Sequence, residues 1–320
     1  MKNKNGVMSV KAIIEKITEQ IQEGIYPGAS LALYRNGQWS EHYLGLADPE
    51  KGEPVVADLI YDLASVSKVV GVATICAFLY AKGELALDRS FKELYPRFAH
   101  EKTTIRELLT HTSGLDPFIP NRDQLDARQL KTALENLQLK EDKSFHYTDV
   151  NFLLLGFWLE DRFHQPLDRL FEELIFTPWK MTETRFGPVE KAVPTVRGVA
   201  SGSVHDPKAR VLGCHAGSAG LFSTVADLER FLEHYLKDDF ARDLSQNFAR
   251  EEGKTRALGW NLEGDWLDHT GYTGTFIMYN RKRQEAVIFL SNRTYEKDER
   301  AQWILDRNSL MDLIKQECEK

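Results

Sequence analysis

The sequence predicts an α/β (α+β) fold in which an antiparallel sheet is built from N- and C-terminal strands, flanked by helices, and carries a large, mainly helical insertion. Three observations point there. Hydrophobic alternation of period two flanks the dipeptide Asn36-Gly37, the strongest short-range signal for a β-hairpin. Period two returns after Gly253. Between these regions the spacing is helical, and two stretches are apolar all round, the mark of buried helices.

Taken in order, Val10, Ile13, Ile14, Ile17 and Ile21 recur at helical spacing and predict an amphipathic helix over residues 7–23. Residues 29–35 and 38–47 are the hairpin strands, and 48–54 read as a turn. A helix starting near Ser65 then carries the largely apolar run 69–81. That run is long for a strand and short of the ~20 residues that span a bilayer. Lys82-Gly83 stops it. Thr103-Thr104 caps a short helix, residues 111–117 form a loop, 125–137 a helix, and 152–159 the second buried helix. Residues 177–223, rich in Gly, Pro, Ser and Thr, predict a long irregular binding rim. Thr224 caps a helix over 225–236. Strands follow at 258–262, 266–271, 275–280 and 285–290, and a helix from about 299 closes the chain. The expected division is a sheet domain of residues 1–64 and 250–320 and a helical domain of 65–249, with a cleft between them.

Composition narrows the function. The 320 residues carry 41 basic against 48 acidic side chains, a net charge of −7, with no basic block, which argues against a nucleic-acid partner. Cys76, Cys214 and Cys318 are too few and too scattered for a disulfide framework. The polar start Met1–Gly6 lacks a signal-peptide core, so the chain reads as cytoplasmic, without a membrane segment. The oligomeric state is left open.

The chemistry begins at Ser65-Val66-Ser67-Lys68. A Ser and a Lys three apart share one helix face, so a hydroxyl near a helix N-terminus has an amine one turn on to take its proton. Acyl transfer further needs a second proton-transfer group, oxyanion donors and a substrate wall. Two stretches fit: the polar turn containing Tyr147-Thr148-Asp149, and His269-Thr270-Gly271-Tyr272, a strand end where glycine admits close approach.

Taken together these motifs resemble the serine β-lactamase and penicillin-binding protein superfamily, in its class C-like branch with family VIII carboxylesterases and D-aminopeptidases. Ser65-Val66-Ser67-Lys68 matches the first motif. Tyr147-Thr148-Asp149 stands where the branch has Tyr-x-Asn, and His269-Thr270-Gly271 where it has Lys-Thr-Gly. Leu108 to Leu115 and Ala219 to Thr224, before Asp227-Leu228, add support. The resemblance implies Ser65 as acylated nucleophile, Lys68 as general base, Tyr147 as proton relay, and the backbone N–H groups of Ser65 and Tyr272 as oxyanion hole. Asp149, His269, Thr270 and Gly271 would line the substrate site, with no metal and no cofactor.

The departures bear on substrate. His269 titrates near neutrality and anchors a carboxylate less firmly than Lys. Asp149 favours charged Lys68 and moves the burden of the base towards Tyr147. The expected activity is an esterase or amidase acting on a small-molecule ester, amide or peptidoglycan-like substrate, with slow β-lactam turnover. A true β-lactamase or D-Ala-D-Ala carboxypeptidase is the alternative. A reading of another class is a retired, non-catalytic sensor of cell-wall fragments. His205-Asp206 and Cys214-His215 invite a metal reading, but their spacing favours a cleft-rim loop, in which His215 or Ser218 can touch substrate. His111 reads as a structural loop residue, the Tyr272 side chain as lining or packing, and Phe157, Trp158 and Cys76 as core.

Overall fold

The computed structural model describes residues 10–250 and 254–320, so the expected start of the first helix and the boundary at Gly253 lie outside the described residues. The chain opens with α1 (Val10–Gln22), β1 (Gly28–Arg35), β2 (Gln38–Asp48), β3 (Glu53–Pro54) and β4 (Tyr61–Asp62). A helical stretch, Ala64–Ala81, follows and ends in α2 (Thr74–Ala81). Then come α3 (Phe91–Leu94), α4 (Ile105–Thr110), α5 (Ala127–Glu135), α6 (Val150–Phe163) and α7 (Leu167–Phe171). Next are β5 (Arg185–Phe186), α8 (Pro207–Leu212), β6 (Leu221–Ser223) and α9 (Val225–Lys237). The chain closes with β7 (Asn261–Glu263), β8 (Trp266–Thr270), β9 (Phe276–Asn280), β10 (Glu285–Ser291) and α10 (Arg300–Cys318).

Seven strands form one sheet in the order β3-β2-β1-β10-β9-β8-β7, each pairing antiparallel. The N-terminal hairpin therefore docks on the C-terminal meander through β1 and β10, with Leu31 opposite Phe289 and Leu33 opposite Val287. Alternate residues of β1 serve two cores. Ala29, Leu31 and Leu33 pack with Ile13 and Ile17 of α1 and Leu310 and Ile314 of α10. Ala32 and Tyr34 belong to the larger core shared with α9 and the helical region. Each fully buried Leu or Ile contributes about 1.5–3 kcal/mol, so a one-residue slip of β1 would be costly on both faces.

Three features depart from the expectations. The helix of Ser65 is not uniform: Ala64–Val66 is a 3₁₀ turn and Val69–Ala73 a π-turn before α2. Thr74 Oγ1 donates to Val69 O at 2.6 Å, and Gly71 lies so close to the Phe171 ring that a Cβ there would sit 2.3 Å from it. Ala64–Ala81 is long and apolar enough to cross a membrane, yet 78% of it is buried inside this fold, so it serves as a core helix. Second, β4, β6 and β5 form a small antiparallel sheet that no periodicity announced, because strands of two or three residues have no period to show. Third, the last meander begins at β7 because Gly259, at φ +85°, turns the chain within the expected strand 258–262.

Candidate active site

Ser65 sits in the 3₁₀ turn where the small sheet meets the long core helix. Its backbone is held from several directions. Ala64, the residue before it, has φ +46°, a left-handed conformation that costs a residue with a Cβ of the order of 1 kcal/mol. Asp62 Oδ1 accepts from Ala64 N–H at 2.8 Å, and its other oxygen accepts from His205 N–H at 2.8 Å. Thr273 Oγ1 donates to Asp62 O at 2.8 Å and Thr275 Oγ1 to Leu63 O at 3.0 Å. Leu63 N–H donates to Leu221 O at 2.9 Å.

One turn on, Lys68 is fully buried and all three of its N–H donors are used. Nζ donates to Ser65 Oγ at 2.9 Å, to Asp149 Oδ1 at 2.7 Å and to the carbonyl of Ser218 at 2.9 Å. Burial alone would lower its pKa, but the Asp149 charge, with a further contribution from Tyr147, outweighs it and raises the ammonium above its ordinary value. Asp149 stands at the N-cap position of α6 and bridges two lysines, because Lys208 Nζ reaches its Oδ2 at 3.0 Å. Burial would push its carboxyl up, but the charges of Lys68 and Lys208 outweigh that and hold it well below the usual carboxylate range.

Tyr147 is partly exposed above this pair, its ring centroid 5.2 Å from Lys68 Nζ, 4.6 Å from the His111 ring and 6.1 Å from the His269 ring. His111, at the left-handed C-cap of α4, is buried, and its Nδ1 meets Asn151 Nδ2 at 3.2 Å and Thr148 N–H at 3.4 Å.

The third stretch closes the opposite wall. Gly271 comes so near the Ser65 turn that a Cβ would lie 2.6 Å from Leu63 O and 2.0 Å from Thr275 Oγ1. Tyr272 is the next residue; its side chain lines the cleft, bonded to Asp298 and flanked by His205 at 5.4 Å and the Arg293 guanidinium at 4.8 Å. Thr270 Oγ1 accepts from Arg307 Nη1 at 3.2 Å.

His269 corrects the expectation of a residue titrating near neutrality. It is 2% exposed and neither ring nitrogen has a hydrogen-bond partner among the described residues. Burial, then the charges of Lys68 and Arg256, push its pKa well below its ordinary value, so it is neutral at physiological pH. Sequence spacing places residues but leaves out the burial and neighbouring charge that set their ionisation.

The described residues that line the cavity of about 670 Å³ over Ser65 include cations that sequence reasoning missed: Lys208, Arg293, Arg300 and Arg307. Fully buried Arg256 lies behind it, bonded to Asn261, its pKa lowered to about 10 by burial. None of these residues stands in a motif; Lys208 follows the helix-start pair Asp206-Pro207 in a rim segment without periodicity. His205 and His215 diverge, one against Tyr272 and the other paired with Glu160. Among the described residues no group of three or more His, Cys, Asp or Glu side chains converges.

A family model described as Beta-lactamase matches residues 13–310. The chain belongs to the beta-lactamase family. A protein of Escherichia coli (strain K12) named "Putative D-alanyl-D-alanine carboxypeptidase" is 28% identical over 353 residues, which cover 87% of this chain and 81% of the relative. Among solved structures, the "Beta-Lactamase/D-Alanine Carboxypeptidase from Pseudomonas syringae" aligns with a TM-score of 0.72 at 19% identity, covering 94% of this chain and 98% of that one. "EstCE1, a hydrolase with promiscuous acyltransferase activity" aligns with a TM-score of 0.76 at 19% identity, covering 94% and 97%. These likenesses show the fold, a mixed α/β architecture shared with class C beta-lactamases. This member of the family is a serine hydrolase of the β-lactamase and penicillin-binding protein superfamily.

Proposed function

We propose that Ser65 attacks the carbonyl carbon of an ester or amide and becomes acylated, with Lys68 and Tyr147 moving its proton. The observation that carries this reading is the 2.9 Å contact from Lys68 Nζ to Ser65 Oγ on a turn braced by Asp62, Thr273 and Thr275. Lys68 rests as the ammonium, so it must lose a proton before it can accept one; Tyr147, facing both Lys68 and the cleft, is the group that passes protons to the leaving alcohol or amine. The oxyanion forms between the N–H of Ser65 and that of Tyr272. Gly271 supports this pairing, because its closeness to Leu63 brings the two backbones together. The cavity draws its lining from residues of both 1–64 with 250–320 and 65–249, which supports the division into two units with the site between them.

Neutral His269 provides no charge for a substrate carboxylate, which favours neutral esters and amides over β-lactams. A second reading, a D-Ala-D-Ala carboxypeptidase, draws on Arg307 at Thr270 and on the name of the Escherichia coli relative. One set of assays separates them: turnover of short p-nitrophenyl esters, nitrocefin and a D-Ala-D-Ala peptide, with fluorophosphonate labelling of the wild type and Ser65→Ala. Ester turnover should exceed nitrocefin turnover by ~100-fold, about the effect of one lost oriented charge contact in a dry site. Labelling should vanish in Ser65→Ala. Comparable nitrocefin rates overturn the substrate preference, peptide turnover above ester turnover selects the carboxypeptidase, and labelling that survives Ser65→Ala moves the nucleophile elsewhere. A non-catalytic sensor would show no acylation burst.

A further inference from the structure

We propose that Lys208 is a positioning residue of the proton-transfer machinery: by sharing the Asp149 carboxylate with Lys68, it sets how readily Lys68 takes the Ser65 proton. The inference rests on the catalytic reading above. Lys208 lies in the first turn of α8, far in sequence from the three motifs, yet its side chain is only 14% exposed. Its Nζ is 3.0 Å from Asp149 Oδ2, while Lys68 Nζ is 2.7 Å from Oδ1 of the same carboxylate. Asp206, which caps α8, stands farther from Lys208 at 3.8 Å.

A lone Lys68–Asp149 pair would be neutral, and the whole carboxylate charge would hold the lysine protonated. With Lys208 in place the trio carries a net positive charge. One ammonium now competes with the other for the same anion and also repels it, so Lys68 gives up its proton more readily. The low pKa of Asp149 keeps it a carboxylate throughout, so the coupling is electrostatic and no proton passes through Asp149.

The other groups facing Lys68 do not replace this device. Tyr147 raises the Lys68 pKa further. His269 and His111 are both driven neutral, by burial first and neighbouring cations after it. Arg256 is a cation at neutral pH, held by Asn261 and the Gly259 carbonyl rather than by Asp149. Among the described residues Lys208 is therefore the charged group that bears on Lys68 through its own counter-ion.

The test is the pH dependence of Ser65 acylation by a p-nitrophenyl ester, in the wild type, Lys208→Met, Lys208→Arg and the double variant Lys208→Met/Asp149→Asn, each checked for an unchanged melting temperature. Acylation in the wild type should rise with pH. Lys208→Met should move the curve upward by about one pH unit, a loss of roughly tenfold at a fixed pH near 7. Lys208→Arg should stay near the wild-type curve, and the double variant should acylate faster than Lys208→Met because the anion that holds Lys68 charged is gone. An undisplaced curve for Lys208→Met, equal losses for Met and Arg, or a double variant no faster than Lys208→Met each overturns the inference while leaving Ser65 as nucleophile. Absence of acylation at Ser65 in the wild type overturns the catalytic reading and this inference with it.

Discussion

Asp62 makes the sharpest claim about stability, because it is a buried carboxylate with no cation paired to it among the described residues. It is 2% exposed and accepts two backbone N–H groups, from Ala64 and His205, at 2.8 Å each. Burial pushes its pKa up from 3.8 to about 6, against the opposing pull of those two bonds. The sign follows from linkage. A carboxyl whose folded pKa is raised binds its proton more tightly in the native state. Its contribution is fully present below about 3.8 and is lost as pH rises through about 6. A tenfold difference in proton affinity between the folded and unfolded chain is worth ~1.4 kcal/mol, so the loss between pH 4 and pH 8 amounts to roughly 2 kcal/mol.

Asp62→Asn removes the ionisation and isolates this effect. The amide turns an NH₂ towards one of the two donors, a pH-independent cost of about 1–3 kcal/mol for the unpaired group. Urea denaturation of both proteins at several pH values gives the difference between them as a function of pH. The stability advantage of the wild type over Asp62→Asn should shrink by roughly 2 kcal/mol from pH 4 to pH 8. An advantage that grows with pH would show that the two N–H bonds outweigh burial, and the reasoning about Asp62 would be wrong. A flat difference would refute the raised pKa as well.

Gly271→Ala drives a Cβ to 2.6 Å from Leu63 O, a backbone atom that has no easy way to move. The variant should lose about 1–3 kcal/mol of stability in thermal unfolding and ~100-fold in single-turnover acylation, since the loop carrying Tyr272 is pushed off the Ser65 turn. A soluble Gly271→Ala with wild-type acylation removes Tyr272 from the oxyanion hole. Tyr147→Phe keeps the ring contacts to His111 and His269 and removes only the hydroxyl. It should melt like the wild type and lose roughly 100- to 10,000-fold in kcat, with KM little changed. Near-normal kcat assigns the whole proton transfer to Lys68.

The parts of this protein that were legible in its sequence are those governed by local pattern. Asn36 and Gly37 both take the positive φ their hairpin turn requires, and Thr104 and Glu107 form the reciprocal cap that opens α4. Ser65 and Lys68 share a face at Ser-x-x-Lys spacing and do meet. What was not legible depends on which distant groups arrive beside a residue. His269 lost its expected charge to burial and to two cations from elsewhere in the chain. Lys208 reached Asp149 from 59 positions away, through a segment with neither repeat nor period. Asp62 stands in no motif, and its part in the site appears only where the N–H groups of Ala64 and His205 converge on its carboxylate.

The same contrast explains why the geometry at Ser65 belongs to the tertiary structure and not to its helix. The N-terminal segment that presents Ser65 is left-handed at Ala64, a 3₁₀ turn at Ser65 and a π-turn beyond Lys68, none of which a regular α-helix would choose. Two of its carbonyls, those of Asp62 and Leu63, are held by the hydroxyls of Thr273 and Thr275, more than 200 residues later. Those threonines lie in the loop from β8 to β9, and β9 pairs with β10, which pairs with β1. The N-terminal hairpin, the C-terminal meander and the Ser65 turn are therefore closed by one set of contacts. A Ser and a Lys one turn apart on an isolated helix would share a face and little else. Here the wall opposite Ser65 belongs to the same β8–β9 loop that holds the strained turn in place, so loosening the sheet at β8 should disable acylation before it unfolds the helical region.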